Sequence, residues 1–323
     1  MKKTLLAVVA VLAMTSCSQN EIDGIDNGKQ NGKAEIKFGY TPITRATPIE
    51  ENADFTTFTV NAYDATDINV QGASEVIKNG VFNKNATEWK SDGDKKYYWP
   101  ASGNVSFFGY NHGTFTKPTE ANKAPTLSYT IASNIVDQKD LLVAQQLGTK
   151  TNATNGTVTL SFKHALSQVR FKLEGKDNSN LTYTISSIKI YDIKSEGTFD
   201  YKDFSTIDWT PSGSNLTEAD AYTMDFSLSK KVIQSDTQDG IIDLIDPKEI
   251  MILMPQTGTA KIAITYSVTN TEGATIHKDD VATVMDQSIT WAAGKKYTYK
   301  LSLTPDELKI TAGEPETWTE GTI

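Results

Sequence analysis

The stretch AEIKFGYTPITRATP, Ala34–Pro48, decides how the rest of the chain is read. Ile36, Phe38 and Tyr40 alternate with Lys37 and Gly39, the two-residue period of a β-strand with one buried face. Thr41-Pro42 turns the chain, and Arg45-Ala46 follows between Thr44 and Thr47. The sequence holds one other arginine, Arg170; the remaining cationic side chains are lysines and three histidines. An apolar strand is thus joined to everything downstream by a segment carrying one of two arginines.

Upstream, Met1-Lys2-Lys3 is basic, Leu5–Ala13 is apolar, and Met14-Thr15-Ser16 precede Cys17. This is the layout of a secretory signal peptide over residues 1–16. The apolar run falls well short of the roughly 20 residues that span a bilayer. Cys17 is the one cysteine in the chain, so disulfides contribute nothing to the fold. Its place after small residues resembles a bacterial lipobox, in which the cysteine becomes the acylated first residue after cleavage. Residues 17–33 continue as SQNEIDGIDNGKQNGK after the cysteine, too polar to bury a face, and read as a flexible tether. Glu21 and Asp23 resemble the acidic export signal of surface-displayed lipoproteins in Bacteroidota.

The chain has 323 residues and a formal net charge of −9, enough length for two domains of ordinary size beyond the tether. An acidic balance with no long basic run argues against nucleic acid, whose phosphates demand a Lys/Arg footprint. It argues equally against electrostatic adsorption to anionic lipid, leaving the acyl chain as the membrane link. Short alternating runs rich in Thr, Val, Ile and Tyr, without a long 3.6-residue period, predict an all-β protein.

The first set of strands is predicted at Phe55–Tyr63, at Val76–Phe82 paired near Trp89, at Val105–Tyr110, at Leu127–Ile131 and at Asp140–Ala144. A polar junction at Asn152–Gly156 separates it from a second set. That set runs through Val158–Phe162, a strand holding Val169, Phe171 and Leu173, then Thr182–Ile193, Lys261–Val268 and Tyr297–Leu303. Ile250–Met254, apolar without interruption, is predicted as a buried central strand. Tyr201–Ala221 reads as a long polar loop with at most a short helix. Short strands joined by turn residues argue for two β-sandwiches, residues 34–155 and 156–323.

These stretches, in this order, resemble the fimbrillin family, the type V pilins of Bacteroidales. The matching pieces are the lipobox, IKF ahead of TRAT, FTVNAY, YYWPASGNVSFFGY, DLLVA, VTLSFKHALSQVRFKL and WAAGKKYTYKLSL. The resemblance implies two tandem transthyretin-like β-sandwich domains, export as a lipoprotein and display on the outer membrane and then in a fimbrium. It also implies an arginine-specific surface protease cutting the Arg45–Ala46 bond. The segment 34–45, with Ile36, Phe38 and Tyr40, would then be a removable first strand, and other fimbrial subunits would be the partners by strand exchange. Arg170, inside a strand, should escape the protease because cleavage needs an extended, accessible backbone. Leu308 and Ile310 mark the candidate donor segment. If the tail does not donate, the subunit would sit at a tip or accessory position.

No cofactor or metal is expected. His112, His164 and His277 lack ligand spacing, and His164 reads as a packed or hydrogen-bonded residue. Asp236–Asp246 misses the EF-hand order of acids and glycine. There is no G-x-S-x-G, P-loop or cysteine nucleophile, so nothing points to an enzyme. Trp89, Trp99 and Trp209 are expected in the core; were they exposed and coplanar, a glycan-binding surface lipoprotein that does not polymerise would be the rival reading.

Overall fold

The computed structural model describes residues 29–30, 33–39, 55–86, 88–101, 104–150, 157–175, 181–233, 241–244, 250–278, 282–304, 307–318 and 321–322. Within them the protein is all-β, with three-residue 3-10 turns such as Ile135–Asp137 and no α-helix.

A seven-stranded sheet dominates the N-terminal half. Its order is Gly321–Thr322, Ser161–His164, Leu142–Lys150, Asn104–Tyr110, Thr57–Tyr63, Glu75–Asn85 and Glu88–Ser91. The predicted pairing near Trp89 is present, with Lys84 opposite Trp89. Alternation along these strands feeds two separate cores. Phe58, Val60, Ala62, Phe107, Ala144 and Phe162 enter one cluster, while Phe108, Tyr110 and Val143 enter another. Burial on both faces explains why Val105–Tyr110 reads as nearly continuous apolar sequence.

The second face is covered by a four-stranded sheet ordered Trp209–Ser212, Glu196–Asp200, Thr126–Thr130 and Thr114–Thr116. The fully buried Tyr201 ties the layers, donating its O–H to the Gly109 carbonyl at 3.1 Å, with its ring 5.1 Å from Phe108. Beyond it lie a six-stranded and a five-stranded sheet. In the six-stranded sheet Ser167–Gly175 runs parallel to Lys295–Leu303 over nine paired positions. The five-stranded sheet is built on Thr182–Tyr191 and the long Gln256–Thr269 strand, where Ile262, Ile264, Tyr266 and Val268 are buried as the alternation predicts.

Sequence pattern and structure differ in four details. Val158, Leu160 and Phe162, placed by pattern at the head of the second set, pack into the N-terminal cluster. Glu196–Asp200 pairs with Thr126–Thr130 across the 155/156 junction, so sheet pairing does not follow that boundary. The expected loop around Trp209 contains the strand Trp209–Ser212, formed because Phe199 offers it a partner in register. Ile250–Met254 is buried as expected, but only Met251–Leu253 ladders, and among the described residues it does so against the single strand Ser167–Gly175.

Candidate functional site

The first segment is inserted between two stretches that are distant in sequence. Trp99 donates its N–H to the Ala34 carbonyl at 3.0 Å, and Ile36 donates to Tyr97 at 2.8 Å. Lys37 and Phe38 then pair in parallel with Thr157 and Val158, and Gly39 donates to the Val158 carbonyl at 3.0 Å. A side chain at Gly39 would crowd Thr157, whose Cγ2 lies 3.2 Å from where a Cβ would stand. Ile36 and Phe38 are buried, at 3% and 4% exposure. The Phe38 ring meets Phe58, Phe82 and Phe107 edge-on at 5.6, 4.6 and 5.9 Å. Lys96 and Glu35 add an ion pair at 3.9 Å on the outside. Lifting this segment out would expose two large apolar side chains, each worth roughly 1.5–3 kcal/mol in burial. It would also orphan the Tyr97 and Val158 carbonyls and the Trp99 N–H, which buried backbone does not tolerate. The result would be an apolar groove with strand-pairing groups on both walls.

Arg170 is well held. Its Nε donates to the Thr298 hydroxyl at 2.8 Å and its guanidinium pairs with Glu316 at 2.9 Å, within a strand flanked on both sides. Cys17, Tyr40, Arg45 and Ala46 lie outside the described residues.

The tail is docked along the molecule. Leu308–Ala312 runs antiparallel to Lys295–Leu303, placing Leu308 opposite Leu303 and Ile310 opposite Leu301. Leu308 is buried and Ile310 half-buried. Glu316–Thr317 continues on the same neighbour, and Gly321–Thr322 pairs with Ser161–Phe162 of the large sheet. Between these pairings Trp318 is fully buried, its backbone N–H donated to the Gly294 carbonyl at 2.7 Å. Its ring stacks on His164 at 4.1 Å with an 11° interplanar angle. His164 in turn shares a 2.5 Å contact between Nδ1 and Asp140 Oδ2, both side chains being buried. The reading of His164 as packed and hydrogen-bonded agrees with this geometry. The role of Trp318 was not legible, because a lone tryptophan among Gly, Pro and Glu carries no periodic signal.

Trp89 and Trp99 are buried in the N-terminal cluster, as expected, whereas Trp209 is half-buried and donates its indole N–H to the Ala165 carbonyl at 2.6 Å. His277 stacks on Tyr266 at 4.7 Å. Among the described residues no group of three or more His, Cys, Asp or Glu could hold a metal. Of Asp236–Asp246 only the strand Ile241–Leu244 is described.

Residues 44–318 match the model of the fimbrillin-like family, and the chain belongs to that family. The fimbrium subunit Fim1C of Phocaeicola vulgatus is 26% identical to it, over 98% of this chain and 97% of the relative. In three dimensions the chain is similar to crystal structures of two proteins provisionally named for cell adhesion. One, from Bacteroides ovatus, has a TM-score of 0.53 at 14% identity, covering 90% of this chain and 99% of that one. The other, from Bacteroides uniformis, has a TM-score of 0.51 at 16% identity, covering 90% and 100%. At these identities the structural likeness speaks for the fold alone.

Proposed function

We propose that this chain is a structural subunit of a fimbrium on the cell surface, built as two tandem β-sandwiches and assembled by strand replacement. The family membership and the fimbrium subunit among its relatives support the role. The observation that carries the assembly step is the first segment itself, with Ile36 and Phe38 buried and strand partners on both sides. In this reading Cys17 is acylated and tethers the precursor to the outer membrane. An arginine-specific surface protease cuts between Arg45 and Ala46, and residues 34–45 leave. A strand from a neighbouring subunit then enters the vacated groove, which is recognition by strand addition. Acceptor and donor lie on different parts of the chain, so the contact is heterologous and propagates into a fibre instead of closing. The self-occupied groove prevents assembly before cleavage.

The donor assignment is refined by the docked tail. Leu308 and Ile310 are engaged in cis, and Trp318 pins the segment that follows. This favours a second reading, in which the subunit accepts a strand but keeps its own tail and sits at a terminal or accessory position. N-terminal sequencing of surface protein tests the release step: the mature chain should begin at Ala46, and Arg45→Ala cells should show an uncut chain without polymers. Normal polymers in that mutant would sink the mechanism. Incorporation of a chain truncated after Thr304, which removes Leu308, Ile310 and the segment beyond, separates the two positions, since a donating tail cannot be dispensed with and a docked one can.

A further inference from the structure

A cavity of about 580 Å³ opens between the Trp209–Ser212 strand and the paired ends of Gln256–Thr269 and Thr283–Trp291. It lies outside the first-segment groove and the tail dock. Its size is that of small-ligand sites, roughly 300–1,000 Å³. From its residues we infer that it is a binding site for a neutral saccharide, so that the proposed fimbrial subunit carries a glycan-recognition site of its own.

The floor offers carbon. Trp209 and Trp291 both line the cavity, and both have their indole N–H turned away into the protein, to the Ala165 carbonyl at 2.6 Å and the Tyr299 hydroxyl at 2.9 Å. What half-buried Trp209 presents is ring hydrocarbon, joined by half-buried Pro211, while Trp291 and Pro255 are buried beneath them. Such a surface takes the C–H face of a pyranose while the hydroxyls project toward the edges. The rim supplies acceptors for sugar hydroxyls: the Asp208 carboxylate, and the Asp192 carboxylate and Asn215 amide oxygen beyond the bond that joins those two residues.

The rim is also held in shape. Asn215 donates to the Asp192 carboxylate at 2.8 Å and to its carbonyl at 3.2 Å. Gln256 accepts from the Lys194 N–H and donates to the Lys194 carbonyl, each at 2.9 Å. Ile207 sits at φ 54°, a region branched side chains rarely enter, with its N–H bound to Asp203 at 2.8 Å. Backbone in such a state persists only where its surroundings enforce it.

Charge selects the class. The lining carries Asp192 and Asp208 against one cation, Lys194, whose ammonium is turned to the Gly213 carbonyl. An anionic sugar would meet a lining whose carboxylates outnumber its cations; a neutral hexose or N-acetylhexosamine would meet no such repulsion.

The test uses the full mature chain on an array of neutral oligosaccharides and their sialylated counterparts, with calorimetry on the best neutral sugar. Asp208 is exposed, so Asp208→Ala should keep the wild-type unfolding midpoint while weakening binding by about tenfold or more, the scale of one lost hydrogen bond to a charged or amide group. Asn215→Ala, which also frees the Asp192 rim, should weaken binding at least as much with a small fall in midpoint. Neutral-sugar binding by the wild type with that loss supports the site. Failure to bind any neutral sugar, a preference for sialylated ones, or full affinity in both variants overturns it. Polymer formation scored on the same preparations keeps the two proposals apart, because loss of sugar binding with intact polymers removes this inference alone.

Discussion

The ring of Phe38 stands edge-on to three other phenylalanines that come from three separate strands of the large sheet. Removing it leaves a hole that no single neighbour can fill, because each belongs to a paired strand. Phe38→Ala should therefore cost about 3–5 kcal/mol of stability, the range for aromatic truncation in a core, read as a fall in the urea midpoint at unchanged slope. A midpoint within error of wild type would mean that the segment is not seated as described. The burial of Ile36 and Phe38 was legible from alternation, since a strand with one apolar face must cover it. The partners were not, because Tyr97–Trp99 and Thr157–Val158 lie far along the chain in opposite contexts. The same holds for His164, whose partner Asp140 is 24 residues away.

At the scale of elements, the tail contrasts with the first segment. Its residues Gly313, Pro315 and the acids around them make a poor strand by pattern, yet it pairs with two sheets and buries Trp318 between them. Trp318→Ala should release it. A loss of about 3–5 kcal/mol at this anchor corresponds to roughly 10²–10⁴-fold more frequent opening, read as faster hydrogen exchange over residues 308–317 and quicker cleavage at Lys309. Equal protection in both proteins would show that strand pairing alone holds the tail. The Trp209–Ser212 strand teaches the converse lesson. Read alone it is polar loop, and it becomes a strand because Glu196–Asp200 presents an open edge to it.

For the molecule as a whole, the buried tyrosines set an alkaline limit. Burial raises the Tyr201 phenol well above its ordinary value of 10.0, raises Tyr129 to about 12, and raises Tyr110 and Tyr299 in the same direction. Each folded-state value lies above the unfolded one, so the folded chain holds protons that the unfolded chain releases first. Their contribution is complete below about pH 10 and is lost as pH rises toward 12 and beyond. Denaturant midpoints taken from pH 8 to 11 should stay level to roughly pH 9.5 and then fall; a flat profile to pH 11 would contradict the burial of these phenols.

By itself the sequence determined the all-β class, most strand positions and the apolar face of the first segment, because those follow from a two-residue period and from turn residues that act locally. It also placed Arg170 inside a strand, where the structure finds it paired on both sides. Only the tertiary structure decided which strands meet. Pairing is a contest among edges over the whole chain, settled by closure and burial, and it put Val158 and Phe162 with the first core, Thr126–Thr130 beside Glu196–Asp200, and Trp318 over His164. The cavity beneath Trp209 belongs to the same category, since its walls come from strands that no local pattern brings together.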